Sequence, residues 1–250
     1  MTRLALSCLN AFNTLNIFLM DLVAEQRLAR RSMILASVRQ MIVDRGYAAV
    51  TIRELAEVCR VSVPTLYNQF GGKDQLLAAA IEDHFQGAYD NQDFQRAKPG
   101  LGRLLTLIDQ SAHQLLESST YHQRLISAFS SLGATNDVQV RVATAFAQVI
   151  VAQLDVMQGK RQLVDWVMPV QLAGQMVAAC IGTAVQWSGG TIVSERLQSS
   201  MRYAMGLVLL GTVRGQSLQR ISTMVQEAQA TLPAVPELAT NLNSHEQGVH

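Results

Sequence analysis

Two short stretches of helical apolar spacing, joined by a three-residue turn between Thr51 and Phe70, constrain this chain more than any other feature. Thr51 stands three residues before Glu54, the spacing of a capping box at a helix start. Ile52, Leu55, Ala56 and Cys59 then recur at i, i+3, i+4 and i+7, the stripe of a helix buried on one side. Ser62 is placed as the N-cap of the next helix, with Pro64 in its first turn, where a missing N–H costs nothing. Leu66 and Phe70 form its inward pair at i, i+4, and Gly71-Gly72 ends it. A fourth helix starts near Asp74 and runs to about Gln92. A first helix, about Asp21 to Arg45, puts Leu28, Ile34, Leu35, Val38, Met41 and Ile42 on one face. Gly46 is suited to close it in a left-handed conformation. The arrangement predicts a helix-turn-helix: one helix braces the next, and the second offers its N-terminal end to base edges in a major groove. The free N–H groups behind Ser62 also suit a phosphate.

The rest reads as helix after helix, with no convincing period-2 run, so the expected class is all-α. Pro99-Gly100 marks a boundary. Helices are expected over Leu101–Glu117, Tyr121–Leu132, Val138–Met157, Pro169–Trp187, Ser194–Arg214 and Gln216–Ala230, with a turn at Gly133–Asp137. Hydrophobic residues make up 49% of the 250 and charged ones 16%, enough for a sizeable core. The net charge is only +1, so any nucleic-acid surface must be local. From Arg27 to Lys73 eight basic residues face three acidic ones, a net of +5, which leaves the remainder at −4.

Three widely spaced cysteines, Cys8, Cys59 and Cys180, suggest neither a disulfide framework nor a zinc site, and point to a reducing cytoplasm. No cofactor or metal is expected, because no phosphate-cradling glycine loop, metal-ligand cluster or Gly-x-Ser-x-Gly occurs; the chain is not expected to be an enzyme. Leu4 to Leu19 is mostly apolar, but Asn10, Asn13 and Asn16 interrupt it and no cleavage signal follows. It reads as a helical extension ahead of the domain, or as sequence upstream of a start at Met20. The Arg, Glu and Gln in and beside the apolar helices argue against membrane spans.

The runs Thr51-Ile52-Arg53-Glu54-Leu55-Ala56, Val61-Ser62-Val63-Pro64-Thr65-Leu66-Tyr67-Asn68-Gln69-Phe70 and Lys73-Asp74-Gln75-Leu76-Leu77, with Gly46-Tyr47 before them, resemble the TetR family of regulators over roughly residues 27–80. The resemblance implies roles. Thr51 and Ser62 cap helices at the DNA surface. Arg53 reaches a base or phosphate, Val63, Pro64, Thr65 and Tyr67 face the groove, and Asn68, Gln69 and Lys73 hold phosphates. Tyr67 as a packed aromatic, and Arg53 as a solvated charge or a partner of Glu57, stay open as alternatives. Val63 and Pro64 can touch a thymine methyl but donate nothing, so few bases are read per subunit. The family usually has glycine where this chain has Arg60. A retained left-handed turn requires a positive φ there, at a cost on the order of 1 kcal/mol.

The resemblance divides the chain into an extension (1–24), a three-helix DNA-binding domain (25–80), a helical ligand-binding and dimerisation domain (81–231) and a flexible tail (232–250). It implies a homodimer on a near-palindromic double-stranded DNA operator, most often a repressor, released when a small ligand shifts the fourth helix. Pro169–Trp187 and Ser194–Arg214 are placed as the dimer helices. Gly174, Ala178, Gly182, Gly206 and Gly211 allow close approach, and Met201, Met205, Val208 and Leu209 supply apolar surface. Pocket candidates are His113, Tyr121, Phe129, Phe146, Trp166, Met176, Cys180 and Trp187, a set that suits a hydrophobic ligand. Two rivals remain: a regulator without a small ligand, and a helical carrier or enzyme for hydrophobic molecules.

Overall fold

The computed structural model describes residues 2–46, 49–89, 91–130 and 137–232, and the side chains of 24–46, 49–83, 91–130 and 139–232. Among them the regular structure is helical, with one isolated antiparallel bridge between Leu163 and Val213 and no strand. The all-α expectation holds. Tyr47, most of the turn expected at Gly133–Asp137 and the tail from 233 onward lie outside the described residues. The chain divides into two compact units, Met1–Asp83 and His84–His250.

The first unit holds α1 (Thr2–Arg45), α2 (Ile52–Val58), α3 (Val63–Phe70) and the greater part of α4 (Lys73–Tyr89). Helix α1 is a single element of 44 residues, where the sequence suggested a start near Asp21. It contains neither glycine nor proline, so nothing local breaks its hydrogen-bond ladder. Ile34, Leu35, Val38, Met41 and Ile42 are buried along one face, while Leu28, expected on that face, is 64% exposed because the core ends at Ile34. Arg39 binds α1 to α4 by donating from Nη1 to the Ala80 carbonyl at 2.8 Å and to the Asp83 carboxylate at 3.0 Å. Gly46 closes α1 with φ +79°, as its position suggested.

The second unit contains α5 (Gln92–Arg96), α6 (Leu101–Glu117), α7 (Ser119–Ser130), α8 (Asp137–Gly159), α9 (Pro169–Ser188), a 3₁₀ turn (Ser194–Arg196), α10 (Leu197–Leu210) and α11 (Gln216–Ala230). Helix α5 was not foreseen. The side chain of Asn91 accepts from the Phe94 N–H at 2.8 Å and caps a new helix where α4 had been extended to Gln92. Asparagine competes with the helix ladder in this way wherever its side chain can reach the backbone. Helix α8 is long and apolar enough over Gln139–Gly159 to cross a membrane by length and composition. Here Ile150, Leu154 and Met157 are fully buried in the core it shares with α6 and α9.

Helix α10 packs against α6, α9 and α11, which corrects one expectation. Met201, Met205 and Leu209 fall at i, i+4 and i+8 and are fully buried in this core, so they offer no surface to another subunit. Gly206 serves the same internal packing. A Cβ there would lie 2.5 Å from Cγ2 of Val225 and 2.9 Å from Cε of Met224 on α11. Gly206→Val should therefore overpack the α10–α11 contact and cost about 1–3 kcal/mol. Urea denaturation followed by circular dichroism checks this, and a midpoint unchanged from the parent would refute it. The small residues on α9 behave differently. Gly174, Ala178 and Gly182 are all exposed, and neither glycine has an atom within 4 Å of where a Cβ would stand.

Candidate nucleic-acid interface

The starts of α2 and α3 are built by side chains that satisfy the helix termini locally. Thr51 Oγ1 accepts from the Glu54 N–H at 3.3 Å, and the Glu54 carboxylate accepts from the Thr51 N–H at 2.9 Å and its hydroxyl at 2.8 Å. These bonds and Arg45, 3.5 Å away, hold the Glu54 carboxyl below its ordinary range. Stability from this cap is present above the unfolded carboxylate pKa and is lost as pH falls through the lowered folded value. Ser62 sits at φ −76°, ψ 150° and accepts from the Thr65 N–H. Its hydroxyl also lies 2.7 Å from that of Thr65. Pro64 occupies the first turn, and Leu66 and Phe70 are buried as the inward pair.

The turn between the helices carries Arg60 at φ +52°. The left-handed turn is thus kept and its strain is borne by a side chain. Two backbone bonds explain how: the Arg60 N–H donates to Glu57 O at 3.1 Å and the Val61 N–H to Ala56 O at 3.0 Å. This double closure is the pattern that favours glycine after a helix. Arg60→Gly should raise the melting temperature by a few degrees, a net gain below about 1 kcal/mol after the greater freedom of glycine in the unfolded chain. A lower melting temperature in differential scanning calorimetry would contradict it.

Over this frame Arg53, Pro64, Tyr67, Asn68 and Gln69 are exposed, and Val63, Thr65 and Lys73 are half-buried. Tyr67 is 49% exposed. Arg53 has no ion pair with Glu57 or any other described carboxylate. Thr51 and Ser62, both exposed, spend their hydroxyls on caps. Burial pushes the Lys73 ammonium below its ordinary pKa, opposed by Glu54. The surface therefore combines a shape-giving capped helix with cationic and amide donors and few base-specific ones.

The pocket candidates scatter. A cavity of 360 Å³ opens between α7, α8 and α9, lined by Phe129, Ser130, Gln139, Val140, Ala143, Ile181 and Val185. Phe129 alone of the eight candidates lines it. Phe146, Met176, Cys180 and Trp187 are buried in the core, and burial pushes the Cys180 thiol up to about 12. Trp187 is sealed within the core, its Nε1 donating to Ser194 Oγ at 3.1 Å. Tyr121 stands edge-on to His122. His113 is exposed and 3.5 Å from Glu117, and Trp166 is 74% exposed. Periodicity marks a residue as apolar-facing but does not say whether a neighbour or a void meets it, so Ile181 and Ala143 carried no signal.

The comparisons with known proteins agree with this geometry. The family model for bacterial regulatory proteins of the tetR family matches residues 34–80. The HTH-type transcriptional activator FasR of Mycolicibacterium smegmatis is 38% identical over 55 residues, which span 22% of this chain and about a quarter (25%) of that relative. A putative TetR-family transcriptional regulator from Rhodococcus sp. shares the fold with a TM-score of 0.58 at 23% identity, over 72% of this chain and 97% of that one. TylP, a TetR regulator from Streptomyces fradiae, gives 0.59 at 16% identity over 81% and 98%. SmeT, the repressor of the Stenotrophomonas maltophilia multidrug efflux pump SmeDEF, gives 0.56 at 18% over 75% and 92%. Residues 34–80, which hold the capped α2–α3 pair, thus match the DNA-binding domain of tetR-family regulatory proteins, and the chain shares its helical fold with solved TetR-family regulators.

Proposed function

We propose that the protein is a homodimeric transcription regulator that binds a near-palindromic DNA operator through α3 and responds to a small hydrophobic molecule. The capped α2–α3 pair carries this reading: Leu55, Ala56, Leu66 and Phe70 are buried, while Arg53, Pro64, Tyr67, Asn68 and Gln69 face outward. Pro64 and Val63 supply apolar contact to a thymine methyl, Arg53 and Tyr67 the polar readout, and Asn68, Gln69 and Lys73 the phosphate contacts. Selection of bound duplexes from a random pool, followed by salt titration, tests it. Lys73→Ala should make the slope of log affinity against log salt shallower by about one per subunit with the same sequence preference. An unchanged slope, or binding indifferent to sequence, would sink it.

The dimer reading rests on the open α9 face, where Gly174, Ala178 and Gly182 run between exposed Val170 and Val185. Ligand chemistry follows from the cavity. Gln139 Nε2 donates to Phe129 O at 2.9 Å and Ser130 Oγ to Ile126 O at 2.8 Å, which uses the serine donor and one of the two amide donors, and the other lining side chains are apolar. That suits an uncharged hydrophobic molecule. A ligand-independent regulator is the second reading, favoured by the sealed Trp187 and outlying Trp166, neither of which lines the cavity. The sign of regulation is read as repression, the role named for SmeT, with activation, named for FasR, as its alternative. A reporter driven from the selected operator separates the two.

A further inference from the structure

The second unit carries its charge unevenly. Residues 84–250 hold eleven basic and eleven acidic side chains, so the unit is neutral as a whole. Three short segments break the balance: 96–103 at the start of α6, 159–168 between α8 and α9, and 211–215 between α10 and α11. Together they hold Arg96, Lys98, Arg103, Lys160, Arg161 and Arg214 against Asp165 alone, a net of +5, which leaves the rest of the unit at −5.

The three segments meet in space. Lys160 Nζ donates to Pro99 O at 3.2 Å. The Val164 N–H donates to Thr212 O and the Arg214 N–H to Gln162 O, both at 2.9 Å, on either side of the Leu163–Val213 bridge. Arg214 also donates from Nε to Arg161 O at 2.8 Å and from Nη2 to the Asp165 carboxylate at 2.9 Å. Val167 is anchored in the core, while Trp166 and Met168 on either side of it are 74% and 58% exposed. Two of the cations brace this tip: Arg214 takes up Asp165, and Arg103 donates to the Ala97 and Gln95 carbonyls. Arg96, Lys98, Lys160 and Arg161 are exposed, and among the described residues no carboxylate pairs with them.

Charge and shape select the partner. A second copy meeting the tip head-on would set one net positive surface against another. A bound peptide needs a groove or a strand edge. The tip has a single bridge, and the cavity of the unit lies at the opposite ends of α8 and α9. A nucleic acid offers phosphates but no apolar layer for Met168. An anionic bilayer offers both, phosphates at the surface and hydrocarbon beneath, and tryptophan settles at the boundary between them. We propose that this tip of the second unit docks the protein peripherally on an anionic lipid surface, with Lys98, Lys160 and Arg161 at the headgroups and Trp166 and Met168 entering between them. It is a surface contact, distinct from the membrane spans that the sequence argues against, and it does not depend on the DNA-binding reading.

The two tryptophans make the test direct. Trp187 is sealed in the core, so a change of emission on binding reports Trp166. The full chain is mixed with phosphatidylcholine vesicles with and without phosphatidylglycerol, and sedimentation is read beside fluorescence. The parent should sediment with the anionic vesicles, shift its emission to shorter wavelength and release in high salt. K98Q/K160Q/R161Q should bind about fivefold more weakly per lost charge. W166F should lose the emission shift, and both variants should keep the parent's circular dichroism. No binding to anionic vesicles at low salt, equal binding to phosphatidylcholine alone, or an unweakened triple variant would overturn the proposal. So would an emission shift produced without vesicles by raising protein concentration, which would assign Trp166 to a second copy. A shift with an arbitrary single strand or duplex but not with vesicles would assign the tip to nucleic acid instead.

Discussion

Replacing Leu66 with alanine should lower the stability of the first unit by about 2–5 kcal/mol and abolish duplex binding at room temperature. Leu66 is fully buried and lies between Thr65 and Tyr67, so one side chain both anchors α3 and orients the residues assigned to the groove. A small helical domain has on the order of 5 kcal/mol in total, so the loss takes most of it. Leu66→Met, which conserves volume, should cost below about 1.5 kcal/mol and retain binding. Hydrogen exchange over 51–83, read beside a duplex titration, checks both. Full binding by the alanine variant with native protection would show that α3 is held by something other than this contact.

Trp187→Ala should be as severe in the second unit, at about 3–5 kcal/mol. The indole has no exposed surface and touches the core formed by α8, α9 and α10. Trp187→Phe separates packing from the bond to Ser194 Oγ, and should cost about 1–3 kcal/mol through a smaller ring and an unpaired polar group. Urea unfolding gives both numbers. If Trp187 were a ligand contact on a void instead, the alanine variant would unfold near the parent's midpoint and lose only its response to hydrophobic molecules. A mild W187A would therefore reopen the reading that the sequence suggested for this residue.

The helix ends were legible because capping is a contact between residues one to four apart. Thr51 with Glu54, Ser62 with Thr65, and Gly46 with Ile42 all act within a single turn, and each formed where the sequence placed it. Arg60 was legible only as a choice: a kept turn required a positive φ and a reshaped one a negative φ, and the structure shows the first. Asn91 was missed although its effect is local, because the apolar pattern of α4 carried the reading past it.

The outward faces were less legible. Small and apolar residues on α9 and α10 looked alike as candidate dimer surface, but packing in three dimensions separated them. Met201, Met205, Leu209 and Gly206 turned inward against α6 and α11, and Gly174, Ala178 and Gly182 stayed open. The same holds for the aromatic residues: Trp166 and Trp187 are identical in sequence terms, yet one is exposed and the other sealed.

The capped pair of helices between Thr51 and Phe70 was thus determined by the sequence alone. Its caps, stripe and turn are short-range interactions that any chain with these residues must make or leave unpaired. Only the tertiary structure decided where the arginines of α1 go. Ile34 to Ile42 and Arg27 to Arg31 share one helical face, and nothing in their spacing says where the core stops. Burial stops at Ile34 and Ala24 to Met33 are exposed, because burial needs neighbouring elements that local spacing does not encode, so one continuous stripe becomes a buried half and an exposed cationic one.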